Sequence, residues 1–440
     1  MTSPRMAVLP TLLLLAAGCS MNYTDSMRPV RDQLASNSPD RALAAFEDRY
    51  PGSDDGDRLL FLMEKGNLLR LSGRPAEAIP LLLEADRLSD MLRGVDPSEE
   101  VASLLTSDLA RAYRGADYES VFINYCLAAC YTMIGQPSEA LVECRRVSFK
   151  LGVYNDRYGG TSRYSDDAFV QYMIGALYES VGDLDDALIA YRRSIEIYES
   201  DYAGLYGMEV PERVRADILR VSGSLPGLSD LHESFLRRWP GTAWRSGTDS
   251  LDGEVLVVLE ESVIPARTSR VAQTWTENRL IRIAVPSIQL ARSAGSPEFV
   301  IRSGGASERG FLAENLAAIA AGNLEDHAAR DLARAVARAA LKTAAAGAAE
   351  EIVEELTGEE ESFWSEGAGI LVSLIGAATE QADLRAWLTL PARIHVARIT
   401  LPQGERTVSA ELGGRTVWTG PVEVEAGRIS FVFARSTGWK

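Results

Sequence analysis

Histidine is nearly missing from this 440-residue chain, and lysine is almost as scarce. His232, His327 and His395 lie far apart, with no His-x-x-x-His or Glu-x-x-His pairing to hold zinc or iron, so no metal and no cofactor is expected. The only lysines are Lys65, Lys150, Lys342 and Lys440; the remaining basic residues are arginines, and none of them forms a standout cluster. A net charge of −17 disfavours nucleic acid and acidic lipid headgroups as partners. No Gly-x-Ser-x-Gly elbow and no phosphate loop occurs; the glycines of 303–307 lack a following lysine and read as a plain turn. Cysteine is too sparse for a disulfide framework. Cys126, Cys130 and Cys144 crowd into 19 residues, and the first two sit one helical turn apart, so buried free thiols are expected. No apolar run approaches the roughly 20 residues of a membrane span. The longest internal one, 367–379, is bracketed by Glu366 and Glu380 and reads as a buried core helix.

What is present begins at the first residues. Residues 1–18 carry one early positive charge, Arg5, an apolar run from Ala7 to Ala17, and the small pair Ala17–Gly18 directly before Cys19. That is the pattern of a secretory signal peptide. LeuAlaAlaGlyCys resembles the lipobox of bacterial lipoproteins. The resemblance implies cleavage before Cys19, lipidation of its thiol, and a short tether over 19–26. Two or three acyl chains anchor stably. Ser20, with no Asp there, favours the outer membrane facing the periplasm.

Three internal repeats follow. Residues 66–85, 128–147 and 175–194 share a small residue (Gly66, Ala128, Gly175), a glycine seven positions on (Gly73, Gly135, Gly182) and an alanine at twelve (Ala78, Ala140, Ala187). The small residues let two antiparallel helices approach closely, and the glycines fall at the turn between them. The pattern is similar to the tetratricopeptide repeat, though the copies stand 62 and 47 residues apart rather than about 34, so insertions separate them. One insertion holds a predicted helix opened by Ser98; the other is the Gly- and Tyr-rich loop 151–167. Weaker hairpins at 27–50 and 211–238 complete a helical solenoid over 27–240.

The periodicity changes after the turn-rich stretch 239–250. Strands are predicted at 253–260, 279–285, 299–302, 394–401, 406–412, 415–419 and 428–433, with hairpin turns at 403–405 and 413–414. Helix is predicted from about 311 to 356, with Arg330, Arg334 and Arg338 along one solvated edge. The fold class is therefore α+β and multidomain, an all-α tetratricopeptide-like solenoid followed by an α+β domain, 250–440, whose sheet is mostly antiparallel.

The segments 254–266, 281–286 and 380–404, the last containing ArgAlaTrp, two LeuPro pairs and ProAlaArg, resemble an uncharacterised bacterial family of tetratricopeptide-containing lipoproteins. The resemblance implies location and architecture and supplies no reaction. In tetratricopeptide solenoids the first helix of each hairpin lines the concave groove; transferring those positions gives Asn67, Arg70, Tyr125, Thr132, Tyr172 and Glu179 as a partner-binding set. Glu380, Asp383, Arg385 and Trp387 form a distal candidate, either a salt-bridge network joining helix to sheet or a partner site. The expectation is a non-enzymatic, lipid-anchored envelope scaffold that binds an envelope protein or peptide. The alternatives are an assembly or export factor for an outer-membrane or surface-polymer machine, and a cell-wall enzyme with its site in the distal domain.

Overall fold

The computed structural model describes residues 22–50, 57–93, 112–244, 251–276, 279–290, 296–327 and 382–436. Cys19, the predicted helix after Ser98, the 330–338 edge, the apolar run 367–379 and Glu380 lie outside the described residues.

Five helical hairpins run in chain order. They are α2 (Arg28–Ala35) with α3 (Pro39–Arg49), α4 (Arg58–Leu71) with α5 (Pro75–Arg93), and α6 (Asp117–Met133) with α7 (Pro137–Arg157). Then come α8 (Ala168–Ser180) with α9 (Leu184–Ile197), and α10 (Glu212–Ser224) with α11 (Ser229–Arg238). Residues 22–26, read from sequence as tether, are instead part of the fold: Asn22 caps the single turn α1 (Tyr23–Ser26), and the Tyr23 hydroxyl reaches back to Glu64. Gly73, Gly135 and Gly182 sit in the hairpin turns with φ of 70°, 72° and 86°, a region that suits glycine. The close approach foreseen at Gly175 is severe: a Cβ there would lie 2.5 Å from the Tyr191 ring of the paired helix.

The distal half builds a two-layer β sandwich and a separate ribbon. The inner sheet has the order β10-β1-β7-β6, from β1 (Asp252–Glu261), β6 (Phe311–Glu314), β7 (Arg393–Pro402) and β10 (Ile429–Ser436). β1 pairs antiparallel with β7 and parallel with β10. The outer sheet has the order β5-β4-β8-β9, from β4 (Phe299–Ser303), β5 (Ala306–Arg309), β8 (Gly404–Leu412) and β9 (Arg415–Val424), and is antiparallel throughout. The ribbon pairs β2 (Arg267–Thr276) with β3 (Arg279–Ile288).

Four elements depart from the sequence reading: β5 (Ala306–Arg309) begins inside the predicted plain turn 303–307, α7 runs on through Arg157 into the predicted loop 151–167, and β6 and β2 differ as follows. Phe311–Glu314 is a strand rather than the start of a helix; it pairs with β7, and helix begins at 316, where Asn315 Oδ1 accepts the Ala318 N–H. Three apolar residues carry no period that separates the two states. Strand β2 was not foreseen, because 267–276 has little alternation and its one hydrogen-bonded neighbour is β3.

The helices curve around the inner sheet. Along β1 the odd residues Val255, Val257 and Leu259 join the sandwich core, while Leu256 and Val258 join the core formed with the helices. β7 divides the same way, with Ile394 and Val396 toward the helices and Ala397 and Ile399 toward the outer sheet. A strand buried on both faces reads as a continuous apolar run, as residues 255–259 do. Element types change near 240–250, yet one hydrophobic core runs across that boundary.

Candidate functional site

Among the described residues, buried polar side chains gather on the concave face of the solenoid, and the distal half fills it. The stretch 382–392, which turns at Leu388 and Thr389, lies in the groove like a bound peptide. Glu64 on α4 accepts the N–H groups of Leu388 at 2.7 Å and Thr389 at 3.2 Å. Glu119 on α6 accepts the Trp387 N–H at 2.9 Å, and the Tyr113 and Tyr118 hydroxyls donate to the same carboxylate. Trp387 is fully buried, with its indole N–H on Thr389 Oγ1 at 3.0 Å. A peptide strand without sheet partners must have its N–H groups met by something, and here two buried carboxylates do it. Burial drives Glu64 up to about 7, against the hydrogen bonds that stabilise its charge.

Deeper in the groove, Asn67 donates to the Thr389 carbonyl and hydroxyl, both at 3.1 Å, and its own carbonyl oxygen accepts from Arg70. Arg70 pairs with Glu260 of β1 at 2.8 Å, and Tyr125 donates to the same carboxylate at 3.0 Å. Cys126 lies against this group; it, Cys130 and Cys144 are buried and unbridged, and burial pushes the first two thiols up to about 12.

A second cluster joins the last hairpins to the sheet. Arg398 of β7 has no solvent exposure and meets Glu179 at 2.7 Å, Asp217 at 3.6 Å, and Glu254 of β1. Arg213 and Arg220 add to Asp217 and Glu179, and Tyr172 donates to Asp217 at 2.9 Å. Three guanidiniums thus face three carboxylates. Burial alone would raise Glu179, but Arg398 and Arg220 overcome it and bring it down to about 2; Asp217 is lowered for the same reason. A third cluster pairs two buried acids, Asp167 and Glu314, which hydrogen-bond each other and take the hydroxyls of Tyr164 and Tyr202. Burial raises both, Asp167 to about 6.

Of the six residues assigned from sequence to a partner groove, five therefore meet the chain's own residues. Asn67, Arg70 and Tyr125 contact β1 or the stretch 382–392, Glu179 holds Arg398, and Tyr172 holds Asp217 within the same cluster. Thr132 stands apart, half-buried, with its hydroxyl on the Ala128 carbonyl. In the distal set, Arg385 pairs with Asp383 and with Asp57 ahead of α4, both at 2.7 Å, which joins 382–392 to the helices. Glu64, Glu119, Glu254, Glu260 and Arg398 were not singled out beforehand. Their signal was a charge set within an otherwise apolar run, as in Leu62–Met63–Glu64 or Glu254 and Glu260 at either end of 255–259. Among the described residues no His, Cys, Asp and Glu group is arranged to hold a metal, and no helix is long and apolar enough to cross a membrane.

The outer face is different in kind. On α7, Val142, Phe149 and Val153 form an exposed apolar stripe, with Phe149 72% exposed, and on α9 Ile189 is 61% exposed. A cleft of about 380 Å³ is lined by Arg145 of α7, by Gln171, Ile174 and Tyr178 of α8, and by Ile189 and Arg193 of α9.

No protein-family profile matches the chain, and no curated protein matches it. Solved structures similar to part of it include a crystal structure of MamA protein, at 18% identity over 49% of this chain and 88% of that one, with a TM-score of 0.30. A second is a Podosopora anserina putative kinesin light chain with nearly identical TPR-like repeats, at 14% identity over 49% and 92%, TM-score 0.32. A third is BtubC (BKLC) from P. vanneervenii, at 15% identity over 51% and 95%, TM-score 0.29.

Proposed function

We propose that this chain is a non-enzymatic scaffold of the bacterial cell envelope, held at the outer membrane through lipidated Cys19. Its solenoid grips its own sheet and receives an envelope protein on the outer face. The observation that carries this reading is the contrast between the two faces. A partner reaching Asn67, Arg70 or Tyr125 must first displace 382–392 and break buried ion pairs; the stripe on α7 needs no displacement. Exposed apolar side chains along one helix face, next to a cleft with charged walls, are the usual marks of a protein contact surface.

The test is crosslinking on membranes followed by identification of the captured protein, comparing wild type with the double variant Phe149→Glu, Ile189→Glu. The variant should lose about 2 kcal/mol or more of binding, the loss typical of a central aromatic anchor. Its melting temperature should stay close to that of wild type, because both side chains are exposed. Capture of the same partner by the variant at wild-type yield would rule out the outer face.

A further inference from the structure

Arg70 answers Glu260, and three guanidiniums answer Glu179, Asp217 and Glu254, but the acid pair Asp167–Glu314 has no such counterion. Both residues are buried, and among the described residues neither forms an ion pair with an arginine or lysine. Their carboxyl groups are hydrogen-bonded to each other. An ionised carboxylate only accepts, so this contact requires a proton between the two. Donors also reach all four oxygens. The Tyr164 hydroxyl meets Asp167 Oδ2 at 2.5 Å and the Val170 N–H meets Oδ1 at 2.8 Å. The Tyr202 hydroxyl meets Glu314 Oε2 at 2.8 Å and the Asn315 N–H meets Oε1 at 3.0 Å. Tyr198, Tyr206, Cys144 and Asp166 are the other titratable groups that face the pair, and none of them can become a cation. The nearby arginines are engaged at the surface, Arg193 with Asp166 at 2.7 Å and Arg163 with Glu325 at 2.6 Å.

The pair sits at a seam. Asp167 caps α8, and Glu314 ends β6, the outermost strand of the inner sheet. The sheet alone holds β6 weakly: the strand has four residues, and a register shift after Leu312 interrupts its pairing with β7. Helix contacts supply the rest. Phe311 packs edge-on against Tyr172, and Tyr198, which opens the π turn Tyr198–Tyr202, donates to the Ala313 carbonyl at 2.9 Å. We infer that Asp167 and Glu314 form a proton-operated clasp, closed while they share a proton, whose loss frees β6 from the helices and uncovers the edge of β7. Without that proton two like charges stand side by side in the interior with no cation to offset them. Opening into water lets both acids ionise at their ordinary values, so the open form binds fewer protons. Burial and mutual repulsion raise both groups in the closed form, Asp167 to about 6. Closure is therefore complete below the ordinary carboxylate range and weakens as pH rises.

Hydrogen exchange of the full chain, corrected for its intrinsic pH dependence, is followed in peptides covering 158–167 and 311–327. An opening that releases one proton grows about tenfold per pH unit while the closed pair keeps its proton, so exchange in both segments should rise by that factor across neutral pH. In Glu314→Gln the side-chain carbonyl still accepts the Asn315 N–H, and the amide donates to Asp167 without titrating. This variant should remove the rise in both segments. If it fails to fold, Asp167→Asn, which keeps an acceptor for the Val170 N–H, is read in its place. Exchange that does not rise with pH in the wild type, or that rises equally in the folded variant, would overturn the clasp. So would a rise of the same size in peptides of α4, because that reports unfolding of the whole chain and not release of β6.

Discussion

Buried carboxylates in this molecule behave in opposite ways according to what they meet. Glu64, raised to about 7, holds a proton in the folded state over a range where the unfolded chain has released it. Its contribution to stability is therefore complete below its ordinary value and is lost as pH rises through 7. Glu179, brought down to about 2 by Arg398 and Arg220, contributes above the ordinary carboxylate range and loses that contribution as pH falls toward 2. Stability should accordingly peak at mildly acidic pH, about 5. Glu64→Gln keeps a carbonyl oxygen for the Leu388 N–H and cannot ionise. Thermal melts of this variant should show a flattened fall between about pH 5 and 8, on a base lowered by the Thr389 N–H that then faces the new amide NH2. A wild-type melting temperature that does not fall over that range would show that Glu64 is not held protonated.

At the scale of elements, the hairpins are set by small residues where helices cross. Gly175→Ala puts a methyl group 2.5 Å from the Tyr191 ring, whose hydroxyl is itself bonded to Glu179. The ring cannot move away without disturbing the Arg398 cluster, so the change should cost about 1–3 kcal/mol, read as a lowered denaturation midpoint. Alanine at Gly175 with an unchanged midpoint would mean that the two helices are free to spread. These crossings were legible in the sequence because glycine and alanine recur at fixed offsets within each repeat. So were the seven predicted strands, whose apolar residues either alternate or run continuously. What fills the groove was not legible. Glu64 and Leu388 are separated by 324 residues, and no local period links them. Arg70 and Tyr125 carry the same residue types whether they face a foreign peptide or Glu260 of the same chain. Local patterning specifies that such a position points inward; only the packed chain specifies what it meets there.

The molecule as a whole should unfold as one unit. Leu256, Val258, Trp387 and Ile394 share a core with Val121, Phe122 and Tyr172 of the helices, and Arg398 ties β7 to the last two hairpins. Differential scanning calorimetry of the full chain should give a single cooperative transition. Two resolved transitions would mean that solenoid and sandwich are thermodynamically separate. The inner sheet also fixes an order of events in time. Its central strand β1 is flanked by β7 and β10, and β10 ends at Ser436, while the helical hairpins are complete by Arg238. At about 5–20 residues per second, the last 200 or so residues take roughly 10–40 s to be synthesised. Until those strands are present, the helices lack their sheet partners, and Glu64, Arg70 and Glu179 have nothing of the distal half to hold. Helices and C-terminal strands are thus completed together, and the charges that line the groove find their partners only in the whole chain.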